Sequence, residues 1–185
     1  MHLKYLSPSH CALMIIDLQE RLMPVIAGRE QVVKNAVLLL KAAKAMTMPI
    51  LATTQDVARI GELLPEIKTE LNGVASIDKM EFGGFNNQVV KKAAEHLPNE
   101  IDTLILCGVE THICIYQTAI GAILGGYKVW VPADAVSSRV RHNHRTGINR
   151  IREIGGIVAN TELIIYELLH KAGTPEFKEL LPFLK

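Results

Sequence analysis

Residues Thr103–Val131 read TLILCGVETHICIYQTAIGAILGGYKVWV, and this stretch decides the fold. Thr103–Cys107 is short, rich in Leu and Ile and not alternating, as a strand covered on both faces reads. Ile113–Leu124 is apolar almost all round at helical spacing and predicts a central helix. Gly125-Gly126 ends it, and Lys128–Val131 begins another apolar run. A buried strand, a buried helix and a second strand in series describe a parallel crossover unit.

The same grammar extends in both directions. Ala12–Ile16, Ile50–Thr53 and Ile157–Val158 are further strand-length apolar runs. Gln31–Met46 sets Val32, Val33, Ala36, Leu39, Leu40 and Ala43 on one helical stripe. Asn87–Leu97 and Ser138–Ile154 behave similarly, and Gly155-Gly156 closes the latter. Thr174-Pro175 is an N-cap followed by proline at the first helical position. The expectation is an α/β protein: a three-layer α/β/α sandwich with a mainly parallel, doubly wound (Rossmann-like) sheet, as one domain over residues 1–185.

Composition narrows the class. Hydrophobic residues are 49% and charged residues 21% of the chain, ordinary values for a globular protein. A formal net charge of +1 gives no global attraction to nucleic acid or to an anionic membrane. Met1–His10 is polar, and Ala12–Ile16 is too short for a signal core or a membrane span. Cys11, Cys107 and Cys114 form no CxxC pair and no metal-type spacing; an odd, frameless set suits a reducing compartment, so a cytoplasmic location is expected.

In open α/β sheets ligands bind beyond the carboxyl ends of the strands. The residues to inspect are therefore Asp17-Leu18-Gln19, Thr53-Thr54-Gln55-Asp56, Asp78-Lys79 and Gly108–His112. Asp17 closes a buried strand, where desolvation suits a carboxylate to proton transfer, although a loop cap would look the same. Cys114 lies between strand and helix, where free N–H groups and the helix dipole favour a thiolate and would serve as an oxyanion hole; a small buried hydrophobe is its plain alternative. Lys79 beside both would hold the carboxylate ionised and stabilise the thiolate, whereas most lysines are solvated surface charges.

Taken together, I-I-D-L-Q-E at Ile15–Glu20, K-M-E-F at Lys79–Phe82, C-G-V-E-T-H-I-C at Cys107–Cys114 and G-Y-K-V-W-V-P-A-D-A-V-S-S-R at Gly126–Arg139 resemble the isochorismatase-like cysteine hydrolases. T-E-x-x-I-x-E-L-L at Thr161–Leu169 and F-K-E-L at Phe177–Leu180 extend the resemblance toward the branch called isochorismatase domain-containing proteins. It implies Asp17 as general base, Cys114 as nucleophile forming an acyl-enzyme, and Lys79 as their electrostatic support. It also implies a non-proline cis peptide at Val109–Glu110, aiming the Glu110 N–H, with that of Cys114, at the developing oxyanion. The substrate implied is a small amide or related acyl compound, with no cofactor.

This sequence also departs from relatives. Nicotinamidases of the superfamily carry an Asp-x-His metal motif where Thr53–Ala58 stands here, so no metal is expected. Isochorismatases that cleave a vinyl ether lack the cysteine that Cys114 supplies. Gly83-Gly84 replaces a serine and a small residue of many relatives, which leaves the pocket wall open. Candidates for that wall are Gln19, Phe82, Phe85 and His112.

Arg139, Arg141, His142, His144, Arg145, Arg150 and Arg152 make a basic helix, but the arginines spread around it without aromatic interleaving, which favours a solvated or subunit-facing helix over a nucleic-acid patch. No G-x-G-x-x-G or Walker-type loop supports a dinucleotide or P-loop site. The expected partners are thus a small-molecule substrate and further copies of the chain in a homo-oligomer. A mononucleotide-binding flavodoxin-like protein, a catalytically silent binding or interaction protein of the same fold, and a nicotinamidase- or isochorismatase-type enzyme with an atypical pocket stay as alternatives.

Overall fold

The computed structural model describes residues 5–184; Met1–Lys4 and Lys185 of the expected 1–185 domain lie outside them. Seven strands form one sheet: β1 (Cys11–Ile16), β2 (Ile50–Gln55), β3 (Ser76–Lys79), β4 (Thr103–Val109), β5 (Lys128–Pro132), β6 (Val136–Ser137) and β7 (Ile157–Ala159). Their order is β3-β2-β1-β4-β5-β7, with β6 pairing the far end of β4, and every strand pair is parallel. The helices are α1 (Arg29–Ala45), α2 (Val57–Ile60), α3 (Pro65–Leu71), α4 (Gln88–Glu95), α5 (Tyr116–Leu124), α6 (Arg141–Glu153), α7 (Thr161–Leu169) and α8 (Pro175–Leu180).

β1 shows why the sheet is buried on both faces. Successive side chains of a strand point to opposite sides. Leu13 and Ile15 therefore join Leu39 of α1, Ile67 of α3, Ile164 of α7 and Leu180 of α8, while Met14 and Ile16 join Val90 of α4, Ala119 of α5 and Ile151 of α6. Each such aliphatic side chain contributes roughly 1.5–3 kcal/mol on burial, so β1 is the apolar spine of a three-layer sandwich.

The chain lays β2 and β3 on one side of β1, then returns to lay β4, β5 and β7 on the other. The strand order reverses between β1 and β4, and the crevice beyond their carboxyl ends is where such sheets bind ligands. Ile16 is level with both Thr53 and Gly108. At Gly108, whose φ is +131°, an added Cβ would stand 1.9 Å from the Ile16 carbonyl oxygen. Glycine is what lets the two central strands close up directly beneath the crevice.

Several elements differ from the sequence reading. β3 has no apolar run; it is a short edge strand, Ser-Ile-Asp-Lys, with one face half-open. The helix expected from Ser138 begins at Arg141, because Val136–Ser137 pair with Gly108–Val109 and the Ala27 N–H donates to the Ser138 carbonyl at 3.1 Å, holding this segment extended. Pro65–Leu71 is an additional helix. Among the described residues no helix is long and apolar enough to cross a membrane.

Candidate active site

Asp17 is the first residue past β1 and adopts a left-handed backbone, φ 56°, which aspartate tolerates better than most residues. Its N–H donates to the Thr53 carbonyl at 3.1 Å, and Oδ1 accepts from Thr53 Oγ1 at 2.9 Å. Oδ2 accepts from Lys79 Nζ at 2.8 Å, with both side chains fully buried. Lys79 ends β3, so its stem crosses the end of β2 to reach Asp17, and Nζ donates a second bond to Gln55 Oε1 at 2.9 Å. An ion pair removed from water is stabilising only when its remaining hydrogen-bonding capacity is met; Thr53 and Gln55 meet part of it here, leaving one ammonium proton over.

Cys114 approaches from the other side of the switch point. After β4 the chain turns through a π-helical segment, Thr111–Ile115, before α5 begins; single π turns of this kind concentrate at functional sites. The Cys114 thiol is buried and pushed up to about 12, first by burial and then by the Asp17 charge and a hydrogen bond with Asp17, against the opposing pull of Lys79 and a backbone hydrogen bond with Glu110. This corrects the expectation of a favoured thiolate. In the resting site the thiol keeps its proton, because desolvation and a neighbouring carboxylate outweigh one ammonium.

The Val109–Glu110 peptide is cis. The Glu110 side chain is buried, accepting from the Arg139 backbone N–H at 2.7 Å and from its Nε at 3.1 Å. His112 pairs through Nδ1 with Ser138 Oγ at 2.9 Å, and Thr111 Oγ1 with His144 Nδ1 at 2.9 Å. Burial lowers the His144 pKa and favours its neutral ring. Helix α6 lies tight on this turn: a Cβ at Gly147 would meet the backbone of His112 at 2.9 Å.

The fold brings Asp17, Lys79 and Cys114 together, with the Glu110 backbone beside the thiol. It does not gather the four candidate wall residues in the same way. Gln19 is fully buried, with its amide spent on the backbone of Gln55 and on the Gly61 carbonyl, so it braces the loop instead of lining a pocket. Phe85 packs on Tyr127, ring centroids 5.9 Å apart, and on Gly121 of α5. Phe82 is 54% exposed, two residues on from the still more open Met80, just past Lys79. His112 is partly buried between β6 and α6. Sequence reasoning placed Thr53 and Gln55 among the strand-end residues to inspect but gave neither a role; the available signal was two polar side chains ending an apolar strand.

A groove of about 940 Å³ opens between α1 and α3, lined in part by Met23, Val33 and Leu64. It is lined by no cysteine and by none of Asp17, Lys79 or Cys114. Among the described residues no group of three or more His, Cys, Asp or Glu side chains converges in the manner of a metal centre.

The profile of the isochorismatase domain matches residues 11–162. The secreted isochorismatase effector Isc1 of Phytophthora sojae is 32% identical over 183 residues, covering 97% of this chain and 87% of that protein. Among solved structures, the MAR1 ribonuclease of Caenorhabditis elegans superposes with a TM-score of 0.90 at 26% identity, over 98% of this chain and 92% of that one. The YcaC gene product of Escherichia coli, an octameric hydrolase of unknown specificity, superposes with a TM-score of 0.89 over 98% and 93% of the two chains. At 21% identity that last likeness is one of fold.

Proposed function

The chain belongs to the isochorismatase family, and from that premise we propose that it is a metal-independent cysteine hydrolase opening a small amide or related acyl substrate through an acyl-enzyme on Cys114. The observation that carries this reading is the buried Asp17 carboxylate, held by the Lys79 ammonium at 2.8 Å and near enough to the Cys114 thiol for its charge to raise that thiol's pKa.

In the proposed cycle Cys114 Sγ attacks the substrate carbonyl carbon while Asp17 takes the thiol proton, so no free thiolate has to accumulate at neutral pH. The Glu110 and Cys114 N–H groups hold the oxyanion. Asp17 then passes its proton to the leaving nitrogen as the C–N bond breaks. Water enters, gives a proton to Asp17 and attacks the thioester; collapse releases the acid, and the proton returns to sulfur. Lys79, hydrogen-bonded to Asp17 Oδ2 at 2.8 Å, holds that carboxylate in place between the two steps. No step calls for a metal, because Thr53–Ala58 supplies no Asp-x-His pair.

The same reading includes a homo-oligomer in a reducing compartment. Val25, Met80, Phe82 and Val140 are apolar and more than half exposed, and all follow the carboxyl ends of strands, where a second copy would cover them. The three cysteines are free and buried, as a reducing environment permits.

The test is a panel of small primary amides and esters, with acid quenching and mass analysis of the Cys114 peptide. The expected result is an acyl increment on Cys114, product release with it, and loss of both in Cys114→Ala and Cys114→Ser. Turnover that persists in Cys114→Ala overturns the mechanism. A wild-type Cys114 that no member of the panel acylates favours the catalytically silent reading of the fold.

A further inference from the structure

We infer that Gln55 is a positioning residue for Lys79, fixing the ammonium between Asp17 and Cys114; the inference rests on the cysteine-hydrolase reading above. Gln55 ends β2, the strand between Lys79 and Asp17, and is 8% exposed. Its side-chain amide is used at both ends: Oε1 accepts from Lys79 Nζ at 2.9 Å, and Nε2 donates to the Met80 carbonyl at 2.9 Å. A flipped amide would set N–H groups against an ammonium and oxygen against oxygen, so one orientation alone is satisfied.

The residue is itself clamped. Its backbone N–H donates to Gln19 Oε1 at 2.7 Å, and its carbonyl accepts from Gln19 Nε2 at 3.0 Å. Gln19 in turn donates to the Gly61 carbonyl at 2.7 Å. A chain of amides thus runs from the loop after β1, through the end of β2, to the ammonium at the end of β3.

Placement of Lys79 matters because an ammonium has three protons. Asp17 takes one and Gln55 another, which leaves the third for the Cys114 thiol, whose ionisation the Lys79 charge favours, or for an incoming acyl oxygen. Without Gln55, four rotatable bonds of lysine stem are steered by Asp17 alone. The ammonium then settles fully on the carboxylate and is drawn off the sulfur, although the ion pair survives. Gln55 acts through Lys79 and touches neither substrate nor sulfur.

The experiment follows iodoacetamide alkylation of Cys114 in the full-length protein by mass spectrometry, as a rate ratio of variant to wild type across pH, with a thermal melt to confirm folding. Gln55→Leu is expected to slow alkylation about 10²-fold at every pH. Gln55→Glu keeps an acceptor for Lys79, so it regains part of that rate. Its ratio climbs as the pH falls, because a protonated carboxyl copies the amide, accepting from Lys79 and donating to the Met80 carbonyl. A merely structural glutamine has no such pH signature. A folded Gln55→Leu protein that alkylates like wild type overturns this inference alone. If Gln55→Leu does not fold, a Gln55→Glu ratio flat in pH overturns it. Wild-type Cys114 that reacts no faster than Cys11 or Cys107 overturns the hydrolase reading and takes this inference with it.

Discussion

Asp17 acts on Cys114 in two opposed ways: its charge holds the proton on sulfur, and in the proposed cycle its oxygen removes that proton. Asn in its place separates the two. The charge is gone while Lys79 stays, so the thiol of Asp17→Asn should titrate well below about 12, seen as thiolate absorbance after subtraction of the matching Cys114→Ser protein. Amide turnover should nevertheless fall by about 10²–10⁴, the usual contribution of a general acid–base group. A more acidic sulfur with less catalysis is an outcome that simple activation of the nucleophile does not produce. A thiol pKa unchanged by Asp17→Asn would mean that the carboxylate does not govern the sulfur. Thr53 belongs to the same scale: through Oγ1 and its carbonyl it holds both the side chain and the backbone of Asp17, and it sits level with Ile16 in the sheet.

Among the elements, α6 and the π turn that carries Cys114 are coupled through Gly147. Gly→Ala inside an exposed helix gains up to about 1 kcal/mol, but here the added methyl meets the His112 backbone at 2.9 Å, and overpacking of that kind costs about 1–3 kcal/mol. The collision should decide the sign. Gly147→Ala is expected to be less stable in urea melts and to alkylate more slowly at Cys114; a more stable variant would show that α6 can slide off the turn. Element by element, legibility followed burial. β1, β4 and α5 were readable because both faces of each strand are covered and the apolar pattern is uninterrupted. β3 and β6 were not: a four-residue edge strand and a two-residue strand carry too few apolar positions to stand out from loop. The start of α6 was misread because Ser138–Val140 keep helical spacing while tertiary hydrogen bonds hold them extended. Asp17, Lys79, Cys114 and Gln55 could be placed at strand ends from sequence; their distances could not, nor could the role of Gln55, which depends on which neighbours β2 has. The protonated thiol was unreadable for the same reason, since the balance between Asp17 and Lys79 is set by spatial proximity.

For the whole molecule, three buried thiols set an alkaline limit. Burial pushes Cys11 up to about 11 and Cys114 up to about 12, and raises Cys107 further. A thiol that is harder to ionise folded than unfolded adds stability that is complete below its unfolded pKa, near pH 8.5, and is lost as pH rises through the folded value. Each group then contributes up to about 1.4 kcal/mol per pH unit across its own window. Urea melts should weaken steadily above about pH 9, and Cys11→Ala should flatten that slope even though it lowers stability at neutral pH. A Cys11→Ala slope equal to wild type would show that other groups set the limit. The placement of Lys79 has a consequence of another kind. Its partners hang from the centre of the sheet, but it is carried by β3, the outermost and shortest strand on that side, where backbone amides exchange with solvent water soonest and local opening precedes global melting. Warming should therefore release β3 first, so heat will silence the site several degrees before the protein melts, and the lost activity will return on cooling.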